Sequence, residues 1–201
     1  MRRLPRTWED YSLEDIETMI KSLPKPKLTR IKENAVINKD FKKLPAFTET
    51  FDRLCDLLGK FPTQEVYAGY YLAQAELVDD FKTFPPEIYL RAMRNYMSFV
   101  REYHLYFLLR ENFPEYRVIY SSKYDKIGID FVLKNKRFRL GIRSHTNTKN
   151  AWAKMAKKNH YMKESIPVFD LVVDSKDCYK LNNFWLYGKK HIEQIKIYLG
   201  R

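Results

Sequence analysis

The sequence predicts an α/β protein, with a helical N-terminal region over residues 1–84 and an α/β domain built on a mixed sheet over residues 85–201. Three observations lead there. Pro85-Pro86 is followed by 26 residues that contain neither glycine nor proline, with apolar residues recurring at helical spacing. Beyond Pro114 the apolar period shortens to that of β-strands. After another helical stretch, Val168-Phe169-Asp170-Leu171-Val172-Val173 reads as a strand of the buried type.

The elements can be justified in chain order. Ser12-Leu13-Glu14-Asp15 has the form of a capping box and opens a short helix that ends before Leu23-Pro24-Lys25-Pro26. An irregular basic link follows to about Pro45. A second helix runs from about Thr48 to Leu58, with Phe51, Leu54, Cys55 and Leu58 on one face, and stops at Gly59. A third starts at Thr63 and carries Val66, Tyr67, Tyr70, Tyr71, Gln74, Leu77 and Val78 to about Phe81. The Pro85-Pro86 pair suits the first turn of a long helix reaching about Asn112. Its stripe of Tyr89, Met93, Tyr96, Val100, Tyr103 and Phe107 reads as core.

Tyr116 to Tyr120, Ile127 to Leu133 and Phe138 to Ile142 are β-prone, and Lys134-Asn135-Lys136-Arg137 makes a tight connection between the last two. They read as an antiparallel meander. From about Thr148 to Met162 the helical period returns, with Ala151, Trp152, Met155 and Met162 on one face and Lys149, Lys154 and Lys157 on the other. Pro167 to Asp174 forms the next strand and Asn183 to Tyr187 another, while His191 to Leu199 suits either strand or helix.

A chain of 201 residues buries roughly 70% of its unfolded surface, enough for one solid core with a helical appendage. Hydrophobic residues make up 45% of the chain and only 6 residues are glycine, which excludes a disordered or low-complexity protein. Net charge is +12, and its placement matters more than its size. Residues 131–163 hold ten Lys and Arg and no Asp or Glu, which leaves the other 168 residues an excess of only two. Concentration of that kind suits a polyanionic partner better than diffuse solubilising charge. Cys55 and Cys178, the only cysteines, stand outside any CxxC or Cys/His cluster, which argues against a zinc site or a disulfide framework. No apolar run approaches a membrane span and the N-terminus lacks an apolar signal core, so the chain reads as soluble and cytoplasmic.

The chemistry centres on Gly128-Ile129-Asp130 and, twelve residues after Asp130, on Ile142-Arg143 at the end of Phe138-Arg139-Leu140-Gly141-Ile142-Arg143. Residues 86–174 read helix, strand, strand, strand, helix, strand. Together these resemble the α-β-β-β-α-β core of the PD-(D/E)xK nuclease superfamily, which is restriction-endonuclease-like. The resemblance implies a carboxylate at Asp130 on the second strand, beside a second carboxylate and a lysine two residues apart on the third. Two such carboxylates hold Mg²⁺ (or Mn²⁺) against the scissile phosphate and lower the pKa of a bound water. Here Gly141 occupies the second carboxylate's position and Arg143 the lysine's. An arginine keeps the charge but cannot act as a base.

Three readings follow. In the first, the protein is a metal-dependent DNA endonuclease with a rebuilt site: Asp130 and Glu102 as metal ligands, Arg143 beside them, and Asp125 and Glu111 as the other acids near enough in sequence to serve. In the second, cleavage is lost and DNA binding remains, with Arg143, Ser144, His145, Asn147, Lys149, Lys154 and Lys157 as contacts. In the third, the domain is an α/β protein-interaction module. For Arg143 the structural alternative is an ion pair with Asp130; for Ser144, His145 and Asn147 it is capping of the next helix. His145 also suits a general base, whereas His104 reads as packed. A two-fold dimer is compatible with a duplex-cutting nuclease. Nucleotide-binding glycine motifs, GxSxG and HExxH are absent from the sequence.

Overall fold

The structure, a computed structural model, describes residues 8–27, 44–76, 85–120, 128–146 and 166–200. Ser12 caps α1 (Leu13–Ser22) through the reciprocal contacts its sequence implies: Ser12 Oγ accepts from Asp15 N at 3.1 Å and Asp15 Oδ2 accepts from Ser12 N at 2.8 Å. Next come α2 (Phe47–Leu58), ended by Gly59 in the left-handed region (φ 62°), and α3 (Gln64–Ala75), capped by Thr63 Oγ1 on Val66 N at 3.2 Å. The 28-residue α4 (Pro85–Asn112) follows, bounded as the proline pair and the apolar period require.

Both sides of α4 are buried. Met93, Tyr96, Phe99, Val100 and Tyr103 pack with Trp8, Ile16, Ile20, Phe51, Phe61, Tyr67 and Tyr71 from the N-terminal helices. Leu105, Leu108 and Leu109 face a second group made by the sheet and the C-terminal helix. Phenols in the first group bury their rings by giving each hydroxyl an acceptor. Tyr67 donates to Phe47 O at 3.0 Å, Tyr71 to Pro45 O at 2.8 Å, Tyr96 to Pro62 O at 2.7 Å and Tyr103 to Asp52 Oδ1 at 2.7 Å. The aromatic stripe on α4 is core, as its spacing predicts.

Four strands form one mixed sheet in the order β1 (Arg117–Ile119), β2 (Phe131–Lys134), β3 (Arg139–Thr146) and β4 (Val168–Val173). The first two pairings are antiparallel and β3–β4 is parallel. A parallel pair needs a crossover of a dozen or more residues, which residues 147–167 supply. The helix expected over Thr148 to Met162 lies outside the described residues, as does the expected end of α3 beyond residue 76. The chain closes with a hairpin, β5 (Tyr179–Leu181) and β6 (Phe184–Leu186), and then α5 (Lys189–Tyr198). Among the described residues, no helix is long and apolar enough to cross a membrane.

At three places the structure changes or completes the sequence reading. The polar segment Ser144-His145-Thr146 is strand, because each residue pairs with an apolar partner on β4: Leu171, Val172 and Val173. His191 to Leu199 is helical, its buried His191, Ile192 and Ile195 falling on one face. Tyr179–Leu181 is a strand that the sequence pattern does not announce; Asn182 and Asn183, both with positive φ (46° and 66°), make its two-residue turn.

Polar contacts join the helical region to the C-terminal hairpin at two places: Asn182 Nδ2 donates to Ile20 O at 2.9 Å, and a second group gathers at His104. His104 Nε2 on α4 lies 2.8 Å from the Tyr179 hydroxyl and 3.4 Å from Glu17 Oε1, and Tyr179 also donates to Glu17. The hydrogen bond to His104, with help from Tyr179, outweighs burial and brings the Glu17 carboxyl down to about 2. A carboxyl so depressed stabilises the fold fully above about pH 4.5, and the stabilisation disappears as pH falls through about 2. Urea titrations between pH 5 and 2 should show the wild type losing on the order of 3 kcal/mol more than Glu17→Gln. Parallel pH profiles for the two proteins would remove Glu17 from this role.

Candidate functional site

Gly128, with φ of 80°, leads into β2 through a turn that a side chain would strain. The pairing there is irregular. Phe131 is the register partner of Ile142, yet Asp130 N also donates to Ile142 O at 2.9 Å, so two consecutive residues oppose one. This is a β-bulge, and a bulge re-aims the side chains around it. Phe131 and Leu133 face α4, as do Leu140 and Ile142 on β3. The bulge turns Asp130 to that same side, where Asp130 Oδ2 accepts from Ser144 N and from Ser144 Oγ, both at 2.6 Å.

A second acid reaches this neighbourhood from α4. Tyr187, just beyond β6 and only 2% exposed, is hydrogen-bonded to Ser144 and stands close enough to Asp130 and Glu102 to feel both charges. Burial is the largest effect on its phenol and holds it above the usual range; Arg101 and the Ser144 hydrogen bond pull it down, while Asp130 and Glu102 add to the rise. Tyr187 is therefore a neutral donor at ordinary pH. The Arg101 guanidinium lies 6.0 Å from its ring centre. Glu102 Oε2 accepts from Tyr120 at 3.3 Å, and Tyr120 stacks on Phe131 with ring centres 5.4 Å apart. Asp130, Ser144 and Tyr187 thus form one hydrogen-bonded cluster with Glu102 within electrostatic reach of it, and both acids are half-buried rather than sealed off.

Arg143 lies elsewhere. It falls between Ile142 and Ser144 on β3, so its side chain projects from the opposite face, where Nε donates to Asp170 Oδ1 at 2.6 Å. The register pairs these two residues directly across β3 and β4. An ion pair is the structural alternative that the sequence offered for Arg143, but its partner is Asp170 and not Asp130. At 4% exposure the guanidinium presents little surface to a polymer. His145 is also on β3, half-buried and paired in register with Val172. Glu111 is exposed in the last turn of α4. Asp125, Asn147, Lys149, Lys154 and Lys157 lie outside the described residues.

Gly141 sits where the resemblance places a second carboxylate. A Cβ there would come within 3.1 Å of Ile129 Cδ1, 3.2 Å of Ile129 Cγ2 and 3.3 Å of Val168 Cγ2. The space is already filled by apolar atoms. Among the described residues, no group of three or more His, Cys, Asp or Glu gathers at one place. Among the described residues, Asp130 and Glu102 are the carboxylates of this neighbourhood.

Sequence reasoning alone missed Tyr187, Tyr120 and Asp170. Asp170 carried a signal, since a lone acid inside an apolar strand must find a partner. Tyr187 carried none, because its place beside Asp130 depends on how the C-terminal hairpin docks. Comparisons with family models, with curated proteins and with solved structures give no match.

The packing at Gly141 makes a direct prediction. Gly141→Asp, which introduces an acid where the PD-(D/E)xK pattern has one, should lower stability by about 1–3 kcal/mol from overpacking alone, with a further loss for burying a carboxyl among apolar atoms. Urea midpoints measure it, and an unchanged midpoint would mean that the space above Gly141 is open.

Proposed function

We propose that the protein acts on nucleic acid as a metal-dependent endonuclease that hydrolyses phosphodiester bonds, with Asp130 and Glu102 as the two protein ligands. The observation that carries this reading is the convergence of those two acids on Tyr187, one delivered by the β2 bulge and the other by α4. Mg²⁺ commonly takes only one or two protein carboxylates and completes its shell with waters and substrate phosphates, so two half-buried acids fit it. A bound divalent ion supplies a water of lowered pKa and charge to offset that developing on the phosphate.

The chain's own residues do the positioning. Ser144 holds Asp130 through its amide and hydroxyl together, which fixes the carboxylate's orientation. Tyr187, kept protonated, offers a hydrogen-bond donor and not a base. Arg101 supplies local positive charge. Arg143, committed to Asp170, acts on the architecture of β3 and β4. The fold support for this reading is an α/β chain with a long helix, three antiparallel strands and a fourth strand parallel to the third.

A second reading is favoured by one observation, the filled space over Gly141. With the third-strand acid excluded, the same protein serves as a catalytically inactive DNA-binding protein.

One assay separates the two. Supercoiled plasmid and single-stranded DNA incubated in Mg²⁺, Mn²⁺ or EDTA should be nicked only with metal. Asp130→Ala should abolish nicking, Glu102→Gln should reduce it severely, and Ser144→Ala should lower it about 10- to 100-fold by loosening Asp130. Intact DNA in every lane, with salt-sensitive binding retained, would leave the inactive binder; full nicking by Asp130→Ala would end the assignment of this cluster.

A further inference from the structure

At the far end of β2 the register places three cations side by side. Arg117 on β1 pairs with Lys134 on β2, and Lys134 pairs with Arg139 on β3. Their neighbours Val118, Leu133 and Leu140 face the core, so the three charged side chains project together from the sheet's other face. Like charges directly opposite one another destabilise a sheet. Among the described residues, no ion pair ties any of the three to a carboxylate. The repulsion is left uncompensated within that set.

The adjoining turn adds two more cations in a fixed geometry. Asn135 Oδ1 accepts from Arg137 N at 2.9 Å and from Phe138 N at 2.8 Å, and Asn135 N donates to Phe138 O at 3.0 Å. This network closes the turn and leaves Lys136 and Arg137 exposed. Arg117, Lys134, Lys136, Arg137 and Arg139 line one open groove of about 720 Å³, which no acid lines.

We propose that this groove is a docking surface for the phosphate backbone of duplex nucleic acid. Three strands about 4.8 Å apart give the ladder a width of about 10 Å, a length over which a duplex presents on the order of six phosphate charges. Five cations match that density. The groove is open and its donors are long side chains, which suits backbone contact better than an enclosed small anion. The surface is separate from the carboxylate cluster. Lys134 lies four residues from Asp130, about 13 Å along the strand, and on the opposite face. The proposal shares with the reading above a nucleic-acid partner, but it depends neither on metal nor on Asp130.

The test is binding in EDTA. Fluorescence anisotropy with a labelled 20-base-pair duplex, titrated at several salt concentrations, should give a steep log–log dependence for the wild type. Arg117→Gln/Lys134→Gln/Arg139→Gln should reduce that slope by about 2.7, at about 0.9 for each phosphate that is no longer neutralised. Lys134→Glu should weaken binding while raising Tm by about 1–4 °C, because it places an opposite charge between two arginines. That pairing of lower affinity with higher stability is not what a structural lysine would give. An unchanged slope in the triple variant, or no duplex binding by the wild type, overturns the surface. Competition by inorganic triphosphate at micromolar concentration would overturn the choice of a polymer. Metal-dependent nicking with binding untouched by the ladder variants would sink this proposal and leave the carboxylate reading standing.

Discussion

The rest of the structure depends on the burial of α4 along both of its sides. A helix with one apolar stripe can rotate or slide at the expense of a single interface. Here the N-terminal helices hold Met93, Tyr96, Phe99 and Tyr103, while the sheet and α5 hold Leu105, Leu108 and Leu109. Each fully buried large side chain contributes roughly 1.5–3 kcal/mol, so a shift that improved one interface would forfeit several such contributions at the other. The register of α4 is thereby fixed, and Glu102 lies where the two interfaces meet. The packing that makes the core also sets the distance of Glu102 from the sheet.

The bulge on β2 accounts for several features that look unrelated in sequence. Because Asp130 and Phe131 both oppose Ile142, the side chain of Asp130 joins those facing α4. The alternation is displaced by one residue, which turns Ile129 to the other face, where it occupies the space over Gly141. A side chain at 141 would press on Ile129 and Val168, so this packing favours glycine there. The departure from the superfamily pattern at Gly141 and the inward turn of Asp130 are two results of one backbone event. On the proposed reading, the acid on α4 takes the place of one on β3.

Elements set by local signals were the legible ones. The capping box at Ser12, Gly59 after α2, Thr63 before α3 and the proline pair at Pro85 each act within a turn of the residue that carries them, so the helix starts and stops follow from them. β3 ran longer than expected because Ser144, His145 and Thr146 are polar, and only their pairing with Leu171, Val172 and Val173 makes them strand. At the candidate site Asp130 was legible from a short motif, and Glu102 from the position of its helix relative to the hairpin. Tyr187 was not, since it lies 57 residues from Asp130 in sequence and arrives through tertiary docking. The direction of Arg143 was not legible either. The superfamily pattern puts that position next to the acids, whereas the alternation of β3 and the acid at Asp170 draw it to the opposite face.

The two ends of β2 carry opposite charge, and the distance between them decides how they can cooperate. A phosphate approaching Asp130 and Glu102 meets two acids. The cations of the Arg117–Lys134–Arg139 ladder are about 13 Å away, beyond the Debye length of about 8 Å at physiological ionic strength, and they project from the other face of the sheet. Through solvent they do little to neutralise that pair. Arg101 supplies one local positive charge beside Tyr187, fewer than the acids present. On the proposed nuclease reading, chemistry on a phosphodiester at this cluster requires a further local cation, which a divalent ion held by Asp130 and Glu102 would provide. Attachment at the ladder requires none. On these two proposals the charge distribution separates holding the polymer from acting on it, and a loss of the second ability would leave the first intact.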